Sequence, residues 1–270
     1  MMCIIYTNVQ IVHIGSDVAA ASIQEQVSEE EWKARVELAA VFRLVALEGW
    51  ADLAMAHASA RLPGVTNQFL FLPTELTFEE ITASSLQKID GDGQLLMPSP
   101  YKPHKFAYAL QMPTYRRFPQ ANCIIHLHTH AGTAVSMQKN GLLPSSQYAL
   151  WLGPIRYMDY GGHVATWEEG ERLAGAFGDG KLLMMRCHGT MNWGESIGQA
   201  YILAWLLTRA CEKQIMAQSG QSELYRPTPE VIAGTPEQAR SITAVDGPFG
   251  LQNWNAALRR VNRLSPEYNT

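Results

Sequence analysis

The sequence predicts a single α/β domain with a C-terminal extension. Short apolar runs of strand length alternate with longer stretches of helical periodicity, and no internal repeat or low-complexity linker separates them. The 270 residues are 47% hydrophobic and 17% charged, a composition that can bury a sizeable core. We expect the domain at residues 28–220, a leader or extra strand at 1–27, and a helical extension at 221–270 that packs on the domain or on a neighbouring subunit.

The N-terminal residues 1–14 are apolar, but they do not have the pattern of a signal peptide. They lack a basic leader, contain polar side chains and are too short to span a bilayer. Four cysteines are scattered along the chain without the spacing of a disulfide framework. These features indicate reduced thiols in a cytoplasmic protein.

The first long helix is predicted to begin at Ser28, which forms a capping box with Glu31, and to end before Gly49. Strand-like runs follow it. They cover residues 55–62, 67–73 and 87–90, and residues 94–97 are expected to return as a hairpin through the Gly-Asp-Gly turn at 91–93.

The second half of the chain alternates helices and strands. Helices are predicted at 106–117 (short or kinked at Pro113), 168–177 and 195–218, and strands at 155–160, from 123 onward and from 182 onward. The centre of the last helix, residues 200–207, is apolar all round, which indicates burial between layers or in a subunit interface. The final fifty residues predict short helices and an amphipathic segment at 249–264.

Histidines mark the strand that begins at Cys123. Residues at i and i+2 of a strand share a face, so His126 and His128 are expected to direct their imidazoles at one point. His188 follows another apolar run and supplies a third ligand, which would leave one coordination position open for a substrate. The alternative is that these are hydrogen-bonded core histidines. The pattern also leaves His130 open as a ligand, although a turn starting at Thr129 would take it off the shared face.

The formal net charge is −4, and lysines and arginines form no cluster. This distribution disfavours nucleic acid and anionic membrane surfaces as partners. A small-molecule substrate and further copies of the chain are the partners that fit.

Several motifs together resemble the class II aldolase/adducin family, especially its adducin-like bacterial branch. The motifs are residues 78–85 (FEEITASS), 126–136 (HLHTHAGTAVS), 141–144 (GLLP), 187–190 (CHGT) and 194–196 (GES), and the tail 254–268 is also similar. The resemblance implies a three-layer α/β/α sandwich with a central, mainly antiparallel sheet, assembled as a homotetramer. It also implies that His126, His128 and His188 bind one divalent metal per subunit, while the position of His130 is not a ligand. Zinc is expected first, with Fe(II) and Mn²⁺ as alternatives.

The sequence departs from the aldolases of this family at two places. The glutamate that shuttles a proton in those lyases is replaced by Ala107, and the phosphate-binding turns appear as Ala56-His57 and Thr74-Glu75. Glu75 would repel a phosphate dianion, so a sugar phosphate is not expected as a substrate.

Neighbouring residues offer substitutes. Tyr101 or His104 could move a proton, and Lys102 could pair with a substrate carboxylate. Tyr108 and Gln111, at nearby positions on the following helix, and Glu75 are further candidates for substrate binding. The alternative is that these are ordinary loop and surface residues.

Three functions follow from the resemblance. The first is metal-assisted aldol-type carbon–carbon cleavage, or related carbonyl chemistry, on a small non-phosphorylated hydroxy-carbonyl or carboxylate compound. The second is an Fe(II)-dependent oxygenase acting on an aromatic 2-oxo acid, because three imidazoles with an open position also suit Fe(II). The third is a non-catalytic, adducin-like assembly module.

Overall fold

The computed structural model describes residues 22–53, 55–162, 165–220, 223–243 and 250–270. Its strands are β1 (His57–Arg61), β2 (Gln68–Phe71), β3 (Gln87–Asp90), β4 (Cys123–Leu127), β5 (Arg156–Met158), β6 (Leu182–Met185) and β7 (Gly189–Gly194). Its helices are α1 (Ile23–Gln26), α2 (Glu29–Leu47), α3 (Lys105–Arg117), α4 (His130–Met137), α5 (Gln147–Leu152), α6 (Trp167–Ala176), α7 (Ile197–Ser219), α8 (Pro229–Thr243) and α9 (Leu251–Leu264), followed by a 3₁₀ turn, Pro266–Asn269. The leader predicted at residues 1–27 lies outside the described residues up to position 21.

The described strands form one sheet in the order β3-β2-β1-β4-β7-β6-β5. Every neighbouring pair is antiparallel except β5 and β6, which are parallel. The predicted α/β fold with a mainly antiparallel central sheet is therefore confirmed.

The register of the sheet decides which side chains meet. His57 on β1 lies opposite His126 on β4, and Ser59 lies opposite Ile124, so these four side chains share one face. Ser59 hydrogen-bonds to side chains of α3, which covers that face together with α6. On the other face, α2 and α7 pack against β1, β4 and β7. The sheet thus lies between two helical layers.

The helix α2 begins as the sequence predicts. The Ser28 side chain accepts a hydrogen bond from the backbone N–H of Glu31, and the helix ends at Leu47, just before Glu48 and Gly49. The reciprocal half of the capping box is absent at this helix, because the Glu31 carboxylate pairs instead with Arg35 and Lys88. Glu31 therefore ties α2 to β3 rather than closing its own cap.

Four short stretches differ from the prediction. Residues 94–97 do not form a strand. Against β3 they make a single bridge between Ile89 and Leu95, two neighbouring backbone hydrogen bonds and one hydrogen bond from the Gln94 N–H to the Asp90 carboxylate. The helices α4 and α5 and the strand β7 were not predicted. Each is eight residues or fewer, a length at which hydrophobic periodicity carries little information.

Helix α3 reaches Arg117 despite Pro113 in its interior. Pro113 has no N–H to donate to the carbonyl of Ala109, four residues earlier. Gly170 of α6 approaches that same carbonyl so closely that a Cβ at position 170 would lie 2.2 Å from its oxygen. The proline and the glycine thus define where α3 and α6 meet.

The apolar centre of α7 is buried within the chain itself: of residues 200–207, all but the partly exposed Trp205 are buried. The C-terminal extension packs on the domain, since α9 contacts α2 and α7, and the closing 3₁₀ turn contacts α2. The predicted start of the last helix, Phe249, lies outside the described residues. Among those residues, no helix is long and apolar enough to cross a membrane.

Candidate metal centre

Two chain reversals at the centre of the sheet position the three histidines. His126 is on β4, and His128 follows the last residue of that strand. The chain then turns into α4, whose N-cap, Thr129, accepts a hydrogen bond from the backbone N–H of Gly132. This helix start takes His130 out of the strand direction, and its side chain is exposed.

His188 lies in the tight turn between β6 and β7. Cys187, the residue before it, has a left-handed backbone with a φ of 58°. The Thr133 hydroxyl of α4 donates a hydrogen bond of 3.0 Å to the carbonyl of His188. This hydrogen bond fixes the turn against α4, and His188 lies beside His128 at the end of β4.

The ligand atoms of the three imidazoles converge. The Nε2 atom of His128 lies 2.8 Å from Nε2 of His126 and 3.0 Å from Nε2 of His188. Among the described residues, His126, His128 and His188 form the one group of three or more potential metal ligands, with their ligand atoms within 4.8 Å of one another.

The outer ring nitrogens decide what those Nε2 atoms can do. Nδ1 of His126 lies 2.9 Å from the carbonyl oxygen of Thr190, which can only accept, so Nδ1 carries the hydrogen and Nε2 presents a lone pair. Nδ1 of His128 lies 3.1 Å from the carboxylate of Asp52, which has the same consequence for the neutral ring. Two lone pairs directed at each other across 2.8 Å repel, and a cation between them removes that repulsion. The donor set therefore fits a divalent metal.

The electrostatics of His126 agree with a neutral ligand. Burial, followed by the nearby imidazoles of His57, His128 and His188, lowers its pKa well below the usual value. A neutral imidazole is the form that coordinates a metal.

An open cleft of about 360 Å³ gives access to the three histidines. Its lining residues are Met55, His57, His104, Phe106, Leu110, His126, His128, Tyr160, Ala165, Cys187 and His188. The walls are thus apolar and aromatic, with imidazoles as the main polar groups. No lysine or arginine occurs among these described lining residues, so the cleft offers no side-chain cation to a phosphate.

His104 lies in the cleft wall, as its predicted catalytic role requires. It is the N-cap of α3, and its Nδ1 accepts a hydrogen bond of 3.1 Å from the backbone N–H of Ala107. Ala107 itself is fully buried, so the position that carries a glutamate in the family's lyases points into the core.

The other predicted site residues lie elsewhere. Tyr101 lines a separate depression beside α1 and α2, and its carbonyl accepts a hydrogen bond from Gln87. Glu75 and Lys102 are tied together, because the Glu75 carboxylate accepts from the backbone N–H of Lys102 at 3.0 Å. Both are exposed and neither lines the histidine cleft.

The two predicted helix residues also lie outside the cleft wall. Tyr108 donates to the carbonyl of Gly91 and lines a neighbouring cavity of about 580 Å³, which shares His104 with the cleft. Gln111 is fully buried beneath His57 and has no surface for a substrate.

Sequence reasoning missed two polar residues of the site. In the sequence, His57 stands only at the position of a lost phosphate-binding turn. Its register opposite His126 follows from the pairing of β1 with β4. Asp52 lies in the loop after α2, and no local pattern connects it with His128, 76 residues away.

The three described cysteines are unpaired with one another and differ in exposure. Cys123 and Cys211 are buried, and burial raises both thiol pKa values, that of Cys211 to about 12. Cys187 is exposed at the rim of the cleft but does not belong to the three-histidine group.

A central, mainly antiparallel sheet between helical layers, with three converging imidazoles at the end of its middle strand, defines an α/β/α protein with a histidine cluster at an open cleft. The sequence profile described as "Class II Aldolase and Adducin N-terminal domain" matches residues 36–215. The chain belongs to this family.

Individual relatives support the assignment. A Pseudomonas aeruginosa protein, named as a candidate class 2 aldolase, is 42% identical over 250 residues, which cover 92% of this chain and 96% of the relative. Mouse alpha-adducin is 34% identical over 242 residues, which cover 85% of this chain but 33% of that longer protein. A crystal structure of an aldolase II superfamily protein from Pseudomonas syringae superposes with a TM-score of 0.85 at 38% identity, covering 93% of this chain and all of the other.

Proposed function

We propose that the protein is a divalent-metal-dependent lyase that performs aldol-type carbon–carbon cleavage, or closely related carbonyl chemistry, on a small non-phosphorylated hydroxy-carbonyl or carboxylate compound. His126, His128 and His188 are the proposed ligands of one metal per subunit, with zinc first and Fe(II) or Mn²⁺ as alternatives. When bound, the metal supplies a Lewis acid that polarises a carbonyl or hydroxyl oxygen.

One observation carries this proposal: three Nε2 atoms converge at an open cleft while two of the outer Nδ1 atoms are fixed by Thr190 and Asp52. Two facing lone pairs repel each other, so this arrangement is not expected of histidines that only pack in the core. An outer hydrogen bond that orients the ring is the usual companion of a metal-binding imidazole.

The residues around the cleft define what a substrate must be. Its volume of about 360 Å³ suits a small molecule, and the absence of lysine and arginine from the described lining disfavours a phosphate. His104 lies beside the histidine group and is our candidate for moving a proton, because Tyr101 lies outside the cleft.

The composition of the wall supports a second candidate, an Fe(II)-dependent oxygenase of an aromatic 2-oxo acid. Met55, Phe106, Leu110 and Tyr160 offer apolar and aromatic surface next to the histidines. No carboxylate lines the described cleft to act as a base, and such a reaction needs no α-proton shuttle.

Metal content of two variants tests the site. We expect His128→Ala to lose its metal and its activity, because only two of the three proposed ligands remain. The protein itself should stay folded. His130→Ala is the matched control: the same residue type two positions later, exposed on α4, should keep the wild-type metal content. Elemental analysis after anaerobic purification without chelators measures both, and stoichiometric metal in His128→Ala would contradict the ligand assignment.

The bound metal and oxygen uptake separate the functions. Zinc, or a metal-loaded protein that consumes no oxygen with aromatic 2-oxo acids, supports the lyase. Iron with substrate-dependent oxygen uptake supports the oxygenase. A wild-type protein without any metal would support the third function, a non-catalytic adducin-like module. The similarity to alpha-adducin is the reason to include this alternative.

Sugar phosphates provide a negative prediction. Fuculose 1-phosphate and ribulose 5-phosphate should be neither bound nor cleaved, since the described cleft wall carries no cation for the phosphate. A coupled retro-aldol assay at millimolar substrate measures this, and a steady cleavage rate would contradict the proposed substrate class.

We further propose a cytoplasmic homotetramer, as the family resemblance implies. Light scattering should give about four times the 30.0 kDa mass of one chain. A mass equal to one chain would contradict this assembly.

A further inference from the structure

A chain of buried hydrogen bonds runs from the interior under α3 to the cleft. The Tyr115 hydroxyl lies 2.9 Å from Oγ of Ser59, Ser59 contacts Oε1 of Gln111, and Nε2 of Gln111 lies 2.8 Å from Nδ1 of His57. All four side chains are at most 3% exposed. Of these four residues only His57 lines the cleft, and the network determines which of its ring nitrogens carries the hydrogen.

The direction of each hydrogen bond can be assigned. Nε2 of Gln111 also lies 3.5 Å from the carbonyl oxygen of His57, so an amide oxygen in its place would face another oxygen. The Gln111 Nε2 atom therefore donates to Nδ1 of His57. Oε1 of Gln111 has no hydrogen, so Ser59 donates to it, and Tyr115 in turn donates to Ser59.

His57 is consequently held as the Nε2–H tautomer. Its Nδ1 is an acceptor, and among the described residues Nε2 has no hydrogen-bond partner. This is the opposite of His126 and His128, whose Nδ1 atoms donate and whose Nε2 atoms present lone pairs. The cleft thus contains two kinds of imidazole. His126 and His128 present Nε2 lone pairs, which can bind a metal, and His57 presents an Nε2–H, which can donate to an oxygen atom.

We infer that His57 donates a hydrogen bond from Nε2–H to an anionic oxygen of the bound substrate, and that the substrate is a small α-hydroxy or 2-oxo carboxylate. The ring centroid of His57 lies 4.7 Å from that of His126, so a small carboxylate bound at the histidine cluster would also be within reach of His57. A hydrogen bond to a charged acceptor is stronger than one between neutral groups. Because its Nδ1 already accepts a hydrogen bond from Gln111, His57 acts toward the substrate as a donor. The substrate half of this inference rests on the proposed function; the tautomer does not.

The tautomer is measurable without metal or substrate. In protein labelled with ¹⁵N at its eight histidines, His57, identified by its absence in His57→Gln, should show hydrogen on Nε2 and none on Nδ1. In Gln111→Glu the new carboxylate accepts from Nδ1, so Nδ1 should gain a hydrogen. Hydrogen on Nδ1 of His57 in the wild-type protein would overturn the inference.

The role toward substrate is tested with glycolate as the probe. Calorimetric titration of the zinc-loaded protein should show binding that weakens about tenfold or more in His57→Leu, which removes a donor to a charged group. His57→Gln keeps an amide N–H near the same position and should stay within about threefold of the wild-type affinity. His130→Gln is the control for an exposed histidine.

Each outcome decides the inference. Weakened binding in His57→Leu with rescue in His57→Gln, at equal zinc content, supports the donor role. Unchanged affinity in both variants, or equal loss in both, overturns it. A wild-type protein that binds no metal would refute the proposed function, while the histidine spectrum would still decide the tautomer.

Discussion

At the scale of single residues, the Asp52 carboxylate connects the loop after α2 to the histidine cluster. It lies 3.1 Å from Nδ1 of His128, and its side chain is half exposed. A hydrogen bond of this kind fixes the orientation of the ring and increases its basicity at Nε2.

Removal of this carboxylate should weaken metal binding. We expect Asp52→Ala to reduce zinc affinity by about tenfold to a hundredfold, the usual effect of losing such an outer partner. Competition with a chromophoric chelator measures the affinity. Asp92→Ala removes an exposed carboxylate that pairs with Arg116 and serves as the control; an equal loss in both variants would show a general charge effect instead.

The sequence predicts the convergence of His126 and His128 because side-chain alternation is a local property of a strand. The structure adds a qualification: the strand ends at Leu127, so His128 continues the alternation just beyond it. Asp52 and His57 could not be predicted in the same way. Their places depend on a loop conformation and on the pairing of β1 with β4, which are properties of the folded chain.

At the scale of elements, the contact between α3 and α6 depends on one glycine. A Cβ at position 170 would lie 2.2 Å from the Ala109 oxygen and 2.8 Å from the Pro113 ring. The backbone of α3 cannot yield to it without separating the two helices.

Two glycines of α6 give a matched test of this contact. Gly170→Ala should destabilise the protein by about 1–3 kcal/mol through overpacking. Gly175→Ala, with nothing within 4 Å of its new Cβ, should stabilise it by about 0.5–1 kcal/mol because alanine favours a helix. Urea unfolding measures both, and effects of the same sign would show that the contact is not limiting.

The elements that the sequence predicts well are the long ones. Helices α2 and α7 carry caps at Ser28 and Ser196 and many turns of apolar spacing, so local and global preferences agree. Strand β7, with a glycine at each end and Asn192 in its middle, has little strand character of its own. Its pairing with β4 and β6 creates it.

At the scale of the whole molecule, residues 268–270 bind the segment that precedes β3. The carbonyl of Tyr268 accepts from the backbone N–H of Ala83, and that of Thr270 accepts from Ser84. The guanidinium of Arg35, on α2, donates to the carbonyls of Ala83 and Leu86. The segment before β3 is therefore held between α2 and the C-terminus.

Deletion of residues 266–270 should lower stability by about 3 kcal/mol, since it removes two backbone hydrogen bonds and the buried Tyr268 ring. Thr270→Ala keeps those backbone bonds and should change stability by less than about 0.5 kcal/mol. Thermal unfolding of both proteins measures the difference. Equal melting temperatures for the deletion variant and the wild type would contradict a stabilising role of the tail.

The sequence separation of the three histidines has a consequence for biosynthesis. His188 follows His128 by 60 residues, and the β6–β7 turn that carries it reaches the end of β4 only when β7 pairs with β4. At roughly 5–20 residues per second, a ribosome adds His188 about 3–12 s after His128. During that interval the nascent chain offers only two of the three clustered imidazoles, so a metal that needs all three is captured only after the sheet has closed.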